Sequence, residues 1–219
     1  SRAELHIGWG LLSDMGGIYS LGISTGSIER GNHIHDVYSY AYGGWGLYTD
    51  EGSSDMLLEG NLVHDTKSGG FHQHYGKENR VRNNIFAFAA EDEIIRSREE
   101  EHLSFFFERN IVLIDNGRLL GSNWTNNNFR NDYNCYWDVS KPEVNFKGKS
   151  LAEWQALGQD EHSIVADPLF ENPWARDFRL RADSPAIKQL GFVPIDASKA
   201  GLYGAPAWVD GPKRVTRAP

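Results

Sequence analysis

The segment GNHIHDV at residues 31–37 returns as GNLVHDT at 60–66, and then more loosely as NNIFAFA at 83–89, RNIVLID at 109–115 and YNCYWDV at 133–139. With the second residue of each as marker, Asn32, Asn61, Asn84, Asn110 and Asn134 stand 29, 23, 26 and 24 residues apart. A second series, GIYSLG at 17–22, GLYTDEG at 46–52 and GFHQHYG at 70–76, begins on glycines 29 and 24 residues apart. Two series of short strands sharing one period constrain the fold more than any composition does. They predict a chain wound in coils, each adding one rung to several parallel sheets: an all-β parallel β-helix in which uneven spacing reflects loops of different length.

Strand side chains alternate between two faces, so the second series also predicts orientation. Ile18, Leu47, Phe71 and Ile94 should point into the coil, whereas Tyr19, Tyr48 and His72 should form an outward column, with Leu21, Asp50 and His74 two positions further on. Asp50 and Glu51, in the stretch GLYTDEGSSD at 46–55, then fall at a strand exit on the outer face and in the turn that follows. The marker asparagines suit coil corners, where asparagine tolerates a left-handed backbone and can stack its amide on the next one.

The remaining features narrow the function. The 22 basic residues against 30 acidic ones, a formal charge of −8 across 219 residues, disfavour a nucleic-acid surface and are neutral toward uncharged sugars. No run approaches the ~18 apolar residues of a membrane span, and SRAELHIGWG lacks the basic start and apolar run of a signal peptide. The lone Cys135 rules out an internal disulfide. The 23 glycines and 12% aromatics fit short strands and tight turns.

These features divide the chain into coils at 1–139, a capping segment at 140–209 and a disordered tail at 210–219. The period lapses after Trp137. KSLAEWQALG at 149–158 predicts one short helix with Ser150 as N-cap, Glu153 completing a capping box and Gly158 as stop, inside an otherwise irregular tail laid on the solenoid.

The segments SDMGGIYSLG (13–22), GLYTDEGSSDMLLEGNLVHD (46–65) and ENRVRNNIF (78–86), followed by DPLF (167–170), DFRLRADSPAI (177–187) and GLYG (201–204), resemble right-handed parallel β-helix proteins of carbohydrate-active type. The resemblance is to β-helical glycoside hydrolases with α-L-fucosidase and xylan-degrading members, and covers roughly residues 10 to 205. It implies an exported enzyme, secreted or periplasmic, acting on plant or microbial oligo- or polysaccharide. Such enzymes are longer, so this chain looks like a C-terminal portion whose residues before Leu11 meet an upstream segment or a second chain.

Glycoside hydrolysis needs two carboxyl groups. The resemblance points to Asp14 and Asp50, with Glu51 in reserve and Glu91, Asp92 and Glu93 as weaker candidates. For Asp14 to reach Asp50, its loop must fold over the outer face, a bend that Gly16 and Gly17 would ease. Tyr19, Trp45, Tyr48 and Tyr75 offer rings for sugar stacking; His72, His74, Arg96 and Arg98 offer polar contacts. The same residues also have ordinary roles in sheet packing, solvated turns and surface ion pairs. No HExxH or cysteine cluster calls for a metal, and no cofactor is implied, calcium being needed only for a polyanionic substrate. Two other readings fit the fold: a polysaccharide lyase, and a non-catalytic carbohydrate-binding or structural solenoid.

Overall fold

A computed structural model describes residues 4–6, 12–201 and 204–210. It shows a parallel β-solenoid of about six turns with three short α-helices. Each coil passes through three sheets. The first is built from Gly16–Ser20, Trp45–Thr49, Phe71–Gln73, Ile94–Arg96 and Leu120–Ser122, all parallel. The second runs through Ile28–Arg30, Leu57–Glu59, Asn79–Arg82, Phe105–Glu108 and Arg130–Asp132. The third has seven strands, from Glu4–His6 and His33–Val37 to Cys135–Asp138 and Ile164–Val165.

The core is a column of Ile34, Leu47, Leu58, Val63, Phe71, Phe86, Phe105 and Phe107 between the sheets. The predicted orientation holds, because Leu47, Phe71 and Ile94 are buried there with Ile18 packed against them. At the turn into the third sheet the marker asparagines form a ladder. The backbone N–H groups of Asn32, Asn61, Asn84 and Asn110 donate to the side-chain oxygens of Asn61, Asn84, Asn110 and Asn134 at 3.0, 2.9, 2.9 and 2.9 Å. The left-handed backbone belongs to the residue before each asparagine: Gly31, Gly60, Asn83, Arg109 and Tyr133 have φ between 52° and 69°. The asparagines are thus selected for amide stacking, which pairs otherwise buried donors and acceptors.

The period extends one rung past Trp137, since Ile164–Val165 pairs with Cys135 and Tyr136. There the ladder ends on a different residue: Asn134 N donates to Ser163 Oγ at 2.8 Å, and that hydroxyl donates to Asp160 at 2.6 Å. The helix Leu151–Gln155 has the predicted capping box on Ser150 and Glu153. Its Trp154 closes the coil interior against Phe129 and Phe146.

The tail has more structure than one helix. It forms an antiparallel pair, Phe170–Asn172 with Asp177–Leu180, and helices Pro185–Leu190 and Pro206–Asp210. It covers the outer face of the third sheet, burying Leu62, Ile85, Ile111, Leu113 and Cys135 against Phe170, Phe178, Ala186 and Leu190. Over the strands Ile85–Ala87 and Ile111–Ile114 the third sheet is therefore apolar on both faces, which explains runs such as RNIVLID where alternation is lost. Burial pushes the Cys135 thiol up to about 12, leaving it unreactive. The expected disordered tail from 211 on, and contacts of residues before Leu11 other than the Glu4–His6 strand, lie outside the described residues.

Candidate active site

Among the described residues the tail packs on the third sheet and not on the first, whose strands set a ladder of outward side chains. Tyr19, Tyr48, His72 and Ile95 are register partners in sequence across four strands. Trp45 joins Tyr48 and Ile95 in a small outer cluster, with ring centroids 4.4 Å from Tyr48 and 4.3 Å from His72.

The Asp14 loop is folded onto this face. Asp14 N donates to Tyr42 O at 2.9 Å, Tyr40 N to Leu12 O at 2.8 Å, and Gly44 N to Met15 O at 2.9 Å. The bend itself comes from the left-handed backbone of Asp14, φ 58°, and of Gly43, φ 102°. Gly16 and Gly17 serve a different purpose from the expected hinge: a Cβ on Gly16 would lie 2.8 Å from the Tyr48 Cβ, and one on Gly17 only 2.4 Å from Ile34. They are small because strands and core approach closely there.

Two phenols hold the two carboxylates. Tyr19 donates to Asp50 Oδ2 at 2.5 Å, and Tyr48 donates to Asp14 Oδ1 at 3.2 Å. Asp50 is near enough for its charge to act on the Tyr48 phenol as well. The hydrogen bond that Tyr19 donates to Asp50, then burial, pushes the Tyr19 phenol up to about 12. Tyr48 is raised further, by burial first and then by the charges of Asp50 and Asp14. Both phenols stay protonated as donors. Tyr42, unremarked in the sequence, is raised chiefly by the Asp14 charge and stands beside Trp45 at 6.4 Å.

The other candidates separate by depth. Asp50 is buried with its carboxylate at the strand exit, whereas Glu51 is exposed in the turn, 3.9 Å from His74 Nε2. His72 is buried, and burial followed by the neighbouring His74 lowers it to about 3. Trp45 is 7% exposed, so its ring supports the face rather than presenting a stacking surface. Tyr19, at 46% exposure, does present one. Tyr75 is half-buried beneath the Arg98 guanidinium, 5.5 Å from its centroid.

Arg96 is a correction. It lies two residues after inward-facing Ile94, and the same alternation places it wholly inside the coil, donating to Asn126 at 2.8 Å and Ser104 at 3.3 Å beside the Phe129 ring. It cannot touch a substrate on the outer face. Glu93 is likewise turned inward, donor-bonded by Ala89 N at 2.8 Å and pushed by burial to about 8; its carboxyl occupies the space that a Cβ on Gly70 would fill, 2.4 Å away. Asp92 is paired with Arg118 at 3.0 Å.

Ser97 escaped the sequence reading, although alternation from Ile95 would have placed it outward. Its hydroxyl lies 2.7 Å from His72 Nε2 and 2.8 Å from His74 Nδ1. Among the described residues, no three His, Cys, Asp or Glu side chains are arranged to hold a metal, and no helix is long and apolar enough to cross a membrane. A cavity of about 890 Å³ lies away from the acids, between the second sheet and the tail; Arg30 and Arg82 on its wall are both paired with Glu59, at 3.0 and 2.5 Å. Comparison with protein-family models, curated proteins and solved structures finds no match to this chain.

Proposed function

We propose that this chain is a glycoside hydrolase that cleaves uncharged oligo- or polysaccharides with Asp14 and Asp50 as its two carboxyl groups. The observation that carries the reading is a pair of neutral phenol donors on one face, Tyr19 donating to Asp50 and Tyr48 to Asp14. Two carboxylates with no cation between them would ordinarily separate; neutral donors hold each in place without neutralising it. Two carboxyl groups about 5 to 9.5 Å apart serve glycoside hydrolysis with either stereochemical outcome.

Asp50, buried at its root and fixed by Tyr19, suits the group that must meet the anomeric carbon with accurate placement. Asp14 lies on an exposed loop and suits proton delivery to the leaving oxygen. Tyr19 and Tyr42 provide ring faces at the rim. The resemblance to β-helical glycosidases adds the substrate class, and with it an exported location. A lyase would need a cation facing the substrate carboxylate, and Arg96 is withdrawn into the coil.

The test is hydrolysis of a panel of aryl glycosides and plant cell-wall oligosaccharides, read as new reducing ends. Wild type should produce them, and Asp14→Asn and Asp50→Asn should each lose about 10³-fold, in the range of positioned proton transfer. Unsaturated ends absorbing in the ultraviolet would replace the proposal with elimination. Sugar retained unchanged would replace it with binding alone.

A further inference from the structure

Beyond the acid pair, the same face carries a second constellation that glycoside hydrolysis does not require. Asp50, His74 and Ser97 occupy equivalent positions on three successive rungs, as the backbone bonds from His74 N to Thr49 O and from Ser97 N to Gln73 O show. The Ser97 hydroxyl has an imidazole nitrogen on each side, at 2.7 and 2.8 Å. We propose that Ser97 is the nucleophile of a carboxylic-ester hydrolase site, with His74 as its general base and Glu51 as a positioning residue, acting on small acyl esters of hydroxyl groups such as O-acetylated sugars.

Hydrogen counting fixes the roles. A serine hydroxyl has one hydrogen, so it donates to one imidazole and accepts from the other. His74 is the partner with a carboxylate behind it: Glu51 lies 3.9 Å from Nε2, which places the His74 proton on Nε2 and leaves the Nδ1 lone pair facing Ser97. His72 then donates from Nε2 to the Ser97 oxygen, and its Nδ1 is left as a bare acceptor; that buried atom has no hydrogen-bond partner. Burial keeps His72 neutral, as a donor to Ser97 that does not compete for the proton. Ser97 is half-buried and His74 partly open to solvent, so a small acyl group can reach the oxygen.

The chemistry balances without any further reagent. Ser97 Oγ forms a bond to the acyl carbon while its proton passes to His74 Nδ1. The ester C–O bond then breaks and the same proton goes to the departing alkoxide oxygen. Water repeats the sequence on the acyl-serine, releasing the carboxylic acid and restoring Ser97. Glu51 stabilises the transient imidazolium and holds its tautomer.

The experiment uses the intact chain, p-nitrophenyl acetate as substrate and a fluorophosphonate as covalent probe. The expected result is a phosphonyl adduct located on Ser97 by peptide mass spectrometry, with ester turnover falling by at least ~10³-fold in Ser97→Ala and persisting in Arg176→Ala. Glu51→Gln should lower kcat with KM unchanged and Glu51→Asp should restore it, a split that a purely structural carboxylate would not give. The proposal is overturned by an adduct on another residue, by turnover unchanged in Ser97→Ala, or by neither labelling nor turnover above a buffer blank.

Discussion

The first and third sheets carry similar outward chemistry and put it to opposite ends. On the third sheet, His33, His35 and His64 cluster with Asp36 and Asp65: His33 Nε2 lies 2.8 Å from His64 Nε2, and His64 Nδ1 lies 2.6 Å from Asp65. There the tail closes the face. Arg176 pairs with Asp65 through two nitrogens, and Phe178 packs 5.1 Å from the His64 ring. On the first sheet the acids meet neutral phenols, and none of the described tail residues packs against them. A carboxylate paired with a guanidinium is committed to structure: burial raises the Asp65 pKa, but hydrogen bonds from His64 and Arg176 outweigh it and bring it down to about 2. A carboxylate held by phenols keeps its charge available for a reacting centre. Composition alone does not distinguish the two; the donor opposite each acid does.

The sharpest way to break this contrast is to neutralise one acid on each face. Asp50→Asn should cost about 10³-fold in turnover with little change in melting temperature. Asp65→Asn should leave turnover within about twofold and lower the melting temperature instead, since it leaves Arg176 without its partner. Reversal of these outcomes, measured by reducing-end assay and thermal unfolding, would place the working face under the tail.

Acid should weaken both faces at once. Burial, then the charges of nearby histidines, lowers His33 to about 3, and His72 is lowered to about 3 in the same way. The unfolded chain binds these protons near pH 6.5 and the folded chain does not, so stability is full above 6.5 and falls as pH drops toward 3. At pH 5 each contributes a loss of up to about 2 kcal/mol. Urea titrations at pH 7.5 and 5 check this, and His33→Gln should remove roughly half the difference.

Smaller effects probe the supports. Tyr19→Phe deletes the donor to Asp50 and should lower kcat about tenfold with KM nearly unchanged, consistent with one hydrogen bond of ~1.5 kcal/mol to a charged group. A loss confined to KM would make Tyr19 a stacking surface and nothing more. Arg176→Ala should cost about 1 kcal/mol of stability, the worth of a partly exposed ion pair, and leave activity intact.

The period of the asparagines and the period-two alternation made the solenoid, its inward column and the outward run from Tyr19 to His72 legible in the sequence. Alternation gives a side chain's face but not its depth, and so Trp45 and His72 read as contact residues although their neighbours bury them. The charge of Arg96 suggested the surface against its parity; the interior offers Ser104 from its own coil, and Asn126 and the Phe129 ring from the next, partners invisible to local pattern. The meeting of Asp14 with Tyr48 depends on an aperiodic loop held by backbone bonds to residues 40–44, and no spacing rule encodes it. Ser97 was readable from parity but carried no motif.

The asparagine ladder has a consequence for how long such a fold can be. Each coil offers the next the same backbone and amide donors that its own side-chain oxygen accepted from the coil before, so the ladder contains no information about when to stop and would accept another turn indefinitely. Ser163 breaks this inheritance: a hydroxyl accepts from the coil before it but spends its only hydrogen on Asp160, within its own turn. One residue type thus acts as a terminator in a templated series. Replacing Ser163 with asparagine would restore an outward-facing amide and turn a finished end into a seed for an added coil or a second molecule.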